Sequence, residues 1–246
     1  ATLTLIGLNR THFGLPGGAI LPLDEMLDLY SDHVQYFLVK HEAHASHAGA
    51  ALGEILGIPG ISIVTSGPGA VNGLTGLYDA TMEFYPLLFV TGNVPAWALK
   101  NPYMRLFQGG RIVEAAKALG KDAFLVEDVH KVQRTLIDAF MLAMTHPYGG
   151  VHVDLPKQEA LMDDTVFEYF PQPVANGVKN TVEYSVLTEF ARALQGAERP
   201  FIVLGRGAFN ARPEVWELIE RLGVPYGYTL KGKGVLPDDH PQNYGS

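Results

Sequence analysis

The sequence predicts an α/β fold: a doubly wound parallel sheet, followed by an incomplete second α/β domain. Three observations predict it. Short apolar runs at 36–39, 60–65 and 87–92 read as buried strands. Each gives way to a glycine or proline turn, or directly to a helix start. Stretches with helical spacing fill the intervals, and that alternation builds parallel sheets.

Taken in order, residues 11–14 read as a strand end, and Leu15-Pro16-Gly17-Gly18 as the turn after it. The paired glycines allow positive φ and close backbone approach. Residues 20–30 have helical spacing in Leu23, Met26, Leu27 and Tyr30. Tyr36-Phe37-Leu38-Val39 then feeds KHEAHASHAGAALG (40–53), the stretch around which the chain is organised. Glu42 follows the apolar run, and after it come the small residues Ala43, Ala45, Ala48, Gly49, Ala50, Ala51 and Gly53. Small side chains let a helix backbone sit close to its neighbour. An acid at a strand's carboxyl end points into the crevice where open α/β sheets bind ligands. The plainer reading is a first-turn acid at the positive end of a helix dipole.

The run at 60–65 leads into Ser66-Gly67-Pro68-Gly69-Ala70-Val71-Asn72 and a helix to about 85. A Gly-Pro-Gly turn there presents backbone N–H groups to an anion or polar ligand. It is neither a Walker A loop nor G-x-G-x-x-G, so nucleotide motifs gain no support. Pro86 ends that helix and 87–92 is the next strand. Residues 93–111 form a longer loop carrying Asn93, Trp97, Tyr103, Phe107 and Gln108, and long loops in compact domains are often functional. Residues 117–126 read as a short strand region, 129–145 as an amphipathic helix, and 150–156 as a last strand that Asp154 helps to close. The composition then changes, with Pro171, Pro173, Asn176 and Gly177 marking a connecting arm. The expected division is 1–160, a linker at 161–184, and 185–246. The last part holds a helix (186–194), a strand and glycine turn (200–207), a helix (213–222) and a strand (224–230). One such unit is small for a sheet buried on both faces, so it is incomplete or completed by a partner.

A hydrophobic fraction of 47% with 18% charged residues excludes a disordered chain. The net charge of −8 argues against nucleic acid or an anionic membrane as partner. The absence of cysteine excludes disulfide and thiolate chemistry and fits a cytoplasmic setting. No apolar run approaches the roughly 18–20 residues of a membrane span, and the first residues do not read as a signal peptide. His41, His44 and His47 read as structural or surface residues rather than a metal cluster, because the helical spacing offers no third ligand. Lys231 and Lys233 fit either a phosphate contact or a solvated turn.

Together, FGLPGGAILPL (13–23), HEAHASHAGAALG (41–53), TSGPGAVNGLTGLYDA (65–80), VTGNVP (90–95) and GGVHVDLP (149–156) resemble the pyrimidine-binding domain of thiamine-diphosphate-dependent enzymes. FIVLGRGA (201–208) and LKGKGVLPDDHP (230–241) resemble the start of that family's central domain. The wording is nearest the acetolactate synthases and their relatives. The resemblance implies that Glu42 hydrogen-bonds a ring nitrogen of the aminopyrimidine and promotes the imino tautomer that takes the thiazolium proton. Such an acid should sit in a water-poor place. It implies that Pro68 and Asn72 line the aminopyrimidine, that Gly17 and Gly18 let ligands approach backbone, and that Phe107 and Gln108 face the substrate. The implied activity is decarboxylation of a 2-oxo acid such as pyruvate, with carboligation. A simple decarboxylase or oxidase, or a non-catalytic α/β binding module, is the alternative. The implied cofactors are thiamine diphosphate and Mg2+, with FAD admitted by the flavin-binding members, and the implied assembly is a homodimer or homotetramer. The family's Gly-Asp-Gly magnesium motif does not occur here. The metal ligands are therefore expected outside this chain, which would be a fragment of a longer polypeptide or one subunit of a split enzyme.

Overall fold

Six strands run parallel: β1 (Thr11–Leu15), β2 (Gln35–Leu38), β3 (Gly60–Val64), β4 (Leu87–Asn93), β5 (Asp122–Leu125) and β6 (Gly150–Pro156). Their order across the sheet is β2-β1-β3-β4-β6-β5. A computed structural model describes residues 1–101, 106–157 and 182–245. The linker expected at 161–184 lies almost wholly outside the described residues. The chain forms two units, Ala1–Lys179 and Asn180–Ser246.

Helices cover both faces of the sheet. Residues on β3, β4 and β6 alternate between the two faces, as strand geometry requires. Ile61, Ile63, Leu88, Val90, Val151 and Val153 pack with α1 (Thr2–Leu8), α2 (Leu21–Leu29) and α7 (Val132–Ala143). Leu87, Phe89 and Ala123 pack on the opposite side with α3 (Glu42–Leu56), α4 (Pro68–Met82) and α6 (Ile112–Leu119). All of β3, β4 and β6 is buried, whereas β2 is an edge strand with three of its four residues exposed. The run at 36–39 is thus apolar without being buried: Phe37 stacks on Phe13, and Leu38 is 69% exposed.

The small residues bring α3, α4 and β3 almost into backbone contact. A Cβ on Gly60 would overlap the Gly49 carbonyl oxygen of α3. One on Gly76 of α4 would strike the Ser46 hydroxyl and, at 2.7 Å, the His47 nitrogen of α3. One on Gly73 would lie 2.5 Å from the Phe89 ring.

Two expectations are corrected. Residues 117–119 are not strand but the last turn of α6, whose Ile112 and Ala116 form a buried stripe; the strand is confined to Asp122–Leu125. The segment 93–111 is not uniformly loop, because Ala96–Leu99 form the short helix α5 with Ala96 and Ala98 buried.

The second unit contains α8 (Tyr184–Gly196), β7 (Ile202–Leu204), α9 (Arg212–Leu222) and β8 (Tyr226–Tyr228), with β7 and β8 paired in parallel. Leu204, Ile219, Tyr226, Tyr228, Val235 and Leu236 form its core, and α8 buries none of its residues. Among the described residues no helix is long and apolar enough to cross a membrane.

His12 on β1 is fully buried, with Nε2 2.8 Å from the Asn9 carbonyl. Burial lowers its pKa from the usual 6.5 to about 4. The unfolded chain therefore takes up a proton in a range where the native chain does not. The stability His12 contributes is present above pH 6.5 and is lost as pH falls toward 4. Urea unfolding at pH 7 and pH 5 should show lower stability at pH 5, with a smaller difference in His12→Asn. Gly60→Ala should cost at least about 1–3 kcal/mol, since its Cβ meets backbone that cannot move aside. Gly196→Ala, at the end of α8 with open space around it, should stabilise by about 0.4–1 kcal/mol in the same assay.

Candidate active site

The chain reverses its direction of travel across the sheet between β1 and β3: β2 lies beyond β1 on one side, and β3 pairs with β1 on the other. The carboxyl ends of strands at such a switch point form the binding crevice of open α/β sheets. Three segments end there. The turn Pro16-Gly17-Gly18 follows β1, Glu42 opens α3 after β2, and Thr65–Gly67 joins β3 to α4.

Glu42 is the first residue of α3. The helix is started by His41, whose Nδ1 accepts the Ala43 N–H at 3.2 Å. His41 is thus a capping residue. His47 pairs with Asp79 at 3.3 Å, and no group of three potential metal ligands occurs among the described residues. The Glu42 carboxylate faces α4. Its Oε2 accepts a hydrogen bond from Asn72 Nδ2 at 3.0 Å, and its Oε1 lies 2.9 Å from where a Cβ on Gly69 would be. Glycine at 69 is what admits the carboxylate. The same hypothetical Cβ would stand 2.7 Å from Thr65 Cγ2. Glu42 is half-buried rather than fully water-poor within this chain, because it hangs from the edge strand.

The neighbouring turns complete the crevice. A Cβ on Gly17 would collide with the Thr65 side chain, overlapping its Cβ and lying 2.6 Å from Oγ1 and 2.7 Å from Cγ2. Neither Gly17 nor Gly18 takes a positive φ; close approach requires glycine at 17, while a Cβ at 18 would have room. Gly67, by contrast, has φ 60°, which places it in the conformation that favours glycine. The Gln108 backbone leans on it, with Cα 2.9 Å from a Cβ at Gly67. Gln108 Oε1 lies 4.0 Å from a Cβ at Gly18, so the loop residue sits over both turns. Lys157 Nζ donates to the Gly18 carbonyl at 3.3 Å, which ties the end of β6 to the first turn.

Glu42, Asn72, Gly17, Gly18 and Gln108 are therefore gathered in one place. Pro68 is at the first position of α4, exposed. Phe107, 88% exposed, is the most outward of the expected site residues. Two residues not singled out by sequence reading belong here. Thr65 Oγ1 and Ser66 Oγ are buried at the crevice and have no hydrogen-bond partner among the described residues. The signal for them was the pair of hydroxyl residues immediately before Gly-Pro-Gly at a strand end.

A second feature lies at the carboxyl ends of β4 and β6. Thr91, Asn93, His152 and Asp154 are buried together. Thr91 Oγ1 donates to Asp154 Oδ1 at 2.8 Å and lies 2.8 Å from His152 Nε2. Asn93 Nδ2 donates to Asp154 Oδ2 at 2.5 Å, and Asn93 Oδ1 accepts the Val94 N–H at 2.8 Å. Burial raises the Asp154 carboxyl to about 7, with the bonds from Asn93 and Thr91 opposing the rise. Burial holds His152 neutral, at about 3. Asp154 does not end β6, which runs on to Pro156; it joins β6 to β4 through side-chain bonds. Asn93 and Asp154 also line a pocket of about 760 Å3, together with Val94, Gly109 and Val113.

Comparison with known proteins agrees with this geometry. Residues 8–116 match the family description "Thiamine pyrophosphate enzyme, N-terminal TPP binding domain", and residues 187–246 match "Thiamine pyrophosphate enzyme, central domain". The acetolactate synthase large subunit of Mycobacterium tuberculosis is 35% identical over 238 residues, covering 95% of this chain and 38% of that protein. The acetolactate synthase isozyme 1 large subunit of Escherichia coli is 31% identical over 234 residues, covering 94% and 40%. The chloroplastic acetolactate synthase of Arabidopsis thaliana is 32% identical over 241 residues, covering 94% and 34%. The chain thus spans well under half the length of these relatives. With both domains matched in order along its length, the chain belongs to the thiamine pyrophosphate enzyme family.

Proposed function

We propose that the chain carries the pyrimidine-binding half of a thiamine-diphosphate site, in an enzyme that decarboxylates a 2-oxo acid such as pyruvate and joins the remaining fragment to a second carbonyl compound. The observation that carries this reading is the Glu42 carboxylate. It is fixed by Asn72, admitted by Gly69, and set at the sheet's switch point beside two buried hydroxyls without partners among the described residues. A flat heteroaromatic ring with hydrogen-bonding edges suits a crevice floored by glycines and walled by Thr65, Ser66 and Glu42. The relatives named acetolactate synthase support the carboligation.

Each residue then has a role. Asn72 occupies one carboxylate oxygen of Glu42 and leaves the other to meet a ring nitrogen. Glu42 holds or shares a proton at that nitrogen. Gly17 and Gly69 keep side chains out of the ring's path. Gln108, held over Gly67, faces the substrate side, and Phe107 beside it is free to meet the substrate or a neighbouring chain. When bound, thiamine diphosphate supplies the nucleophilic carbon and the electron sink that decarboxylation needs. We assign the Mg2+ ligands to residues outside this chain, and FAD remains an admitted further cofactor. We further assign the assembly to a cytoplasmic homodimer or homotetramer in which another subunit covers the open side of Glu42.

Two measurements test this. In the assembled enzyme, Glu42→Gln should lower thiamine-diphosphate-dependent turnover by roughly 10²–10⁴-fold while the circular dichroism spectrum is unchanged. Turnover that survives the substitution removes the catalytic assignment. Asn72→Ala should weaken turnover less, since it releases the carboxylate without deleting it. Product analysis with pyruvate should give acetolactate; acetaldehyde or acetate instead would assign a decarboxylase or an oxidase.

A further inference from the structure

The buried residues at the ends of β4 and β6 are arranged so that a single proton decides the direction of the bonds linking Asp154, Thr91 and His152. Ionised Asp154 only accepts, so Thr91 spends its one hydroxyl proton on Asp154 Oδ1. Thr91 must then accept from His152, which places the imidazole proton on Nε2. A neutral imidazole has one such proton, so His152 Nδ1 is bare, and it is buried with no hydrogen-bond partner among the described residues. A proton arriving on Asp154 has only one place to go. Oδ2 faces the Asn93 amide nitrogen, and that amide cannot turn over, because its oxygen holds the Val94 N–H. The proton goes to Oδ1. Asp154 then donates to Thr91, Thr91 donates to His152 Nε2, and the imidazole proton moves to Nδ1. The Asp154–Thr91 and Thr91–His152 bonds survive with their direction reversed, while Asn93 still donates to Oδ2.

We propose that Asp154, Thr91 and His152 form a buried two-state proton relay, with Asp154 acting as a positioning residue for the Asn93–Val94 turn that launches the loop over the active site. The ionised state gives Asn93 a charge-assisted partner. The protonated state leaves it a neutral one, and hydrogen bonds to charged groups are about twice as strong. Asn93 in turn holds the Val94 N–H, and the segment begun there returns through Gln108 onto Gly67. The same pocket has Asn93 and Asp154 on one side and Gly109 and Gly110 of the returning segment among its other lining residues. Protonation loosens the turn at the loop's root, some distance from Glu42. The charged groups that face the relay are few. Glu114 on α6 acts on Asp154 through its charge and favours the protonated state. Lys100 and Arg111 line the pocket but pair with Glu127 and Glu114. His152 packs its ring on Phe89, 5.4 Å between centroids.

The functional half of this inference rests on the thiamine-diphosphate reading, while the relay itself does not. The test therefore has two arms. In the first, the 246-residue chain is labelled with 15N histidine and the His152 ring nitrogens are followed from pH 5.5 to 8.5. The Nε2–H tautomer at high pH should give way to Nδ1–H at low pH. Asp154→Asn, whose amide nitrogen can face Thr91 and whose oxygen can face Asn93, mimics the protonated state and should hold Nδ1–H throughout. Thr91→Val cuts the connection and should abolish the pH dependence of the tautomer. A wild-type His152 that keeps one tautomer across the range overturns the relay. So does a tautomer change that persists in Asp154→Asn.

In the second arm, steady-state kinetics of the assembled enzyme should show the KM for the 2-oxo acid rising roughly fivefold on acidification through the Asp154 titration, the scale expected from exchanging a charged for a neutral hydrogen bond. Turnover at saturation and thiamine diphosphate affinity should change little. Asp154→Asn should show the raised KM at every pH, and a pH-dependent KM in that variant overturns the positioning role. Should Glu42→Gln keep full turnover, the cofactor reading falls, while the His152 result still decides the relay.

Discussion

The structure depends on how closely α3 and α4 lie against each other and against β3. Glu42 and Asn72 are thirty positions apart in sequence, and they meet because glycines at 49, 60, 69, 73 and 76 leave no side chain between the backbones. Each of these glycines gives up local stability to conformational freedom in the unfolded state. What they return is an interhelical spacing at which an amide can grip a carboxylate. A wider spacing, filled with leucine or valine, would bury more apolar area and would part the two residues. The geometry of the Glu42–Asn72 pair and the packing are therefore one constraint.

That constraint explains what the sequence could disclose. The parallel sheet was legible because strands buried on both faces lack the polar alternation of exposed ones, as in Gly60–Val64 and Leu87–Asn93. Glu42, Asn72 and the glycine turns were legible because close approach demands specific residue types at fixed offsets. The failures are equally physical. Residues 117–119 are apolar enough for a strand, and only the stripe through Ile112 and Ala116 assigns them to a helix. The run at 36–39 is as apolar as its neighbours, yet its place at the sheet edge is set by crossover topology, which no local pattern encodes.

Asp154 illustrates a different limit. At the sequence level it is an acid before Leu-Pro, and it was assigned to closing the strand. It lies within the strand instead, and its partners Thr91 and Asn93 come from another strand about sixty positions away. The register of β4 against β6 pairs Thr91 with Asp154 and is fixed by packing across the whole sheet. Buried polar networks of this kind are a property of the assembled sheet. They are read from structure because the partners that offset the cost of burying them come from different strands.

The edge position of β2 has a consequence for how the molecule breathes. This four-residue strand pairs with one neighbour only and buries little, so it is among the parts of the sheet that cost least to open. Glu42 begins the helix that follows it, and the reach of the carboxylate toward Asn72 lasts only while β2 and the start of α3 stay in place. A ligand gripping Glu42 would bind the closed form and not the opened one, and so would add its own binding free energy to the closing of the edge. On this view the cofactor is partly a structural element of the sheet's weakest margin, and the bare chain and the loaded one differ in local stability even where their folds coincide.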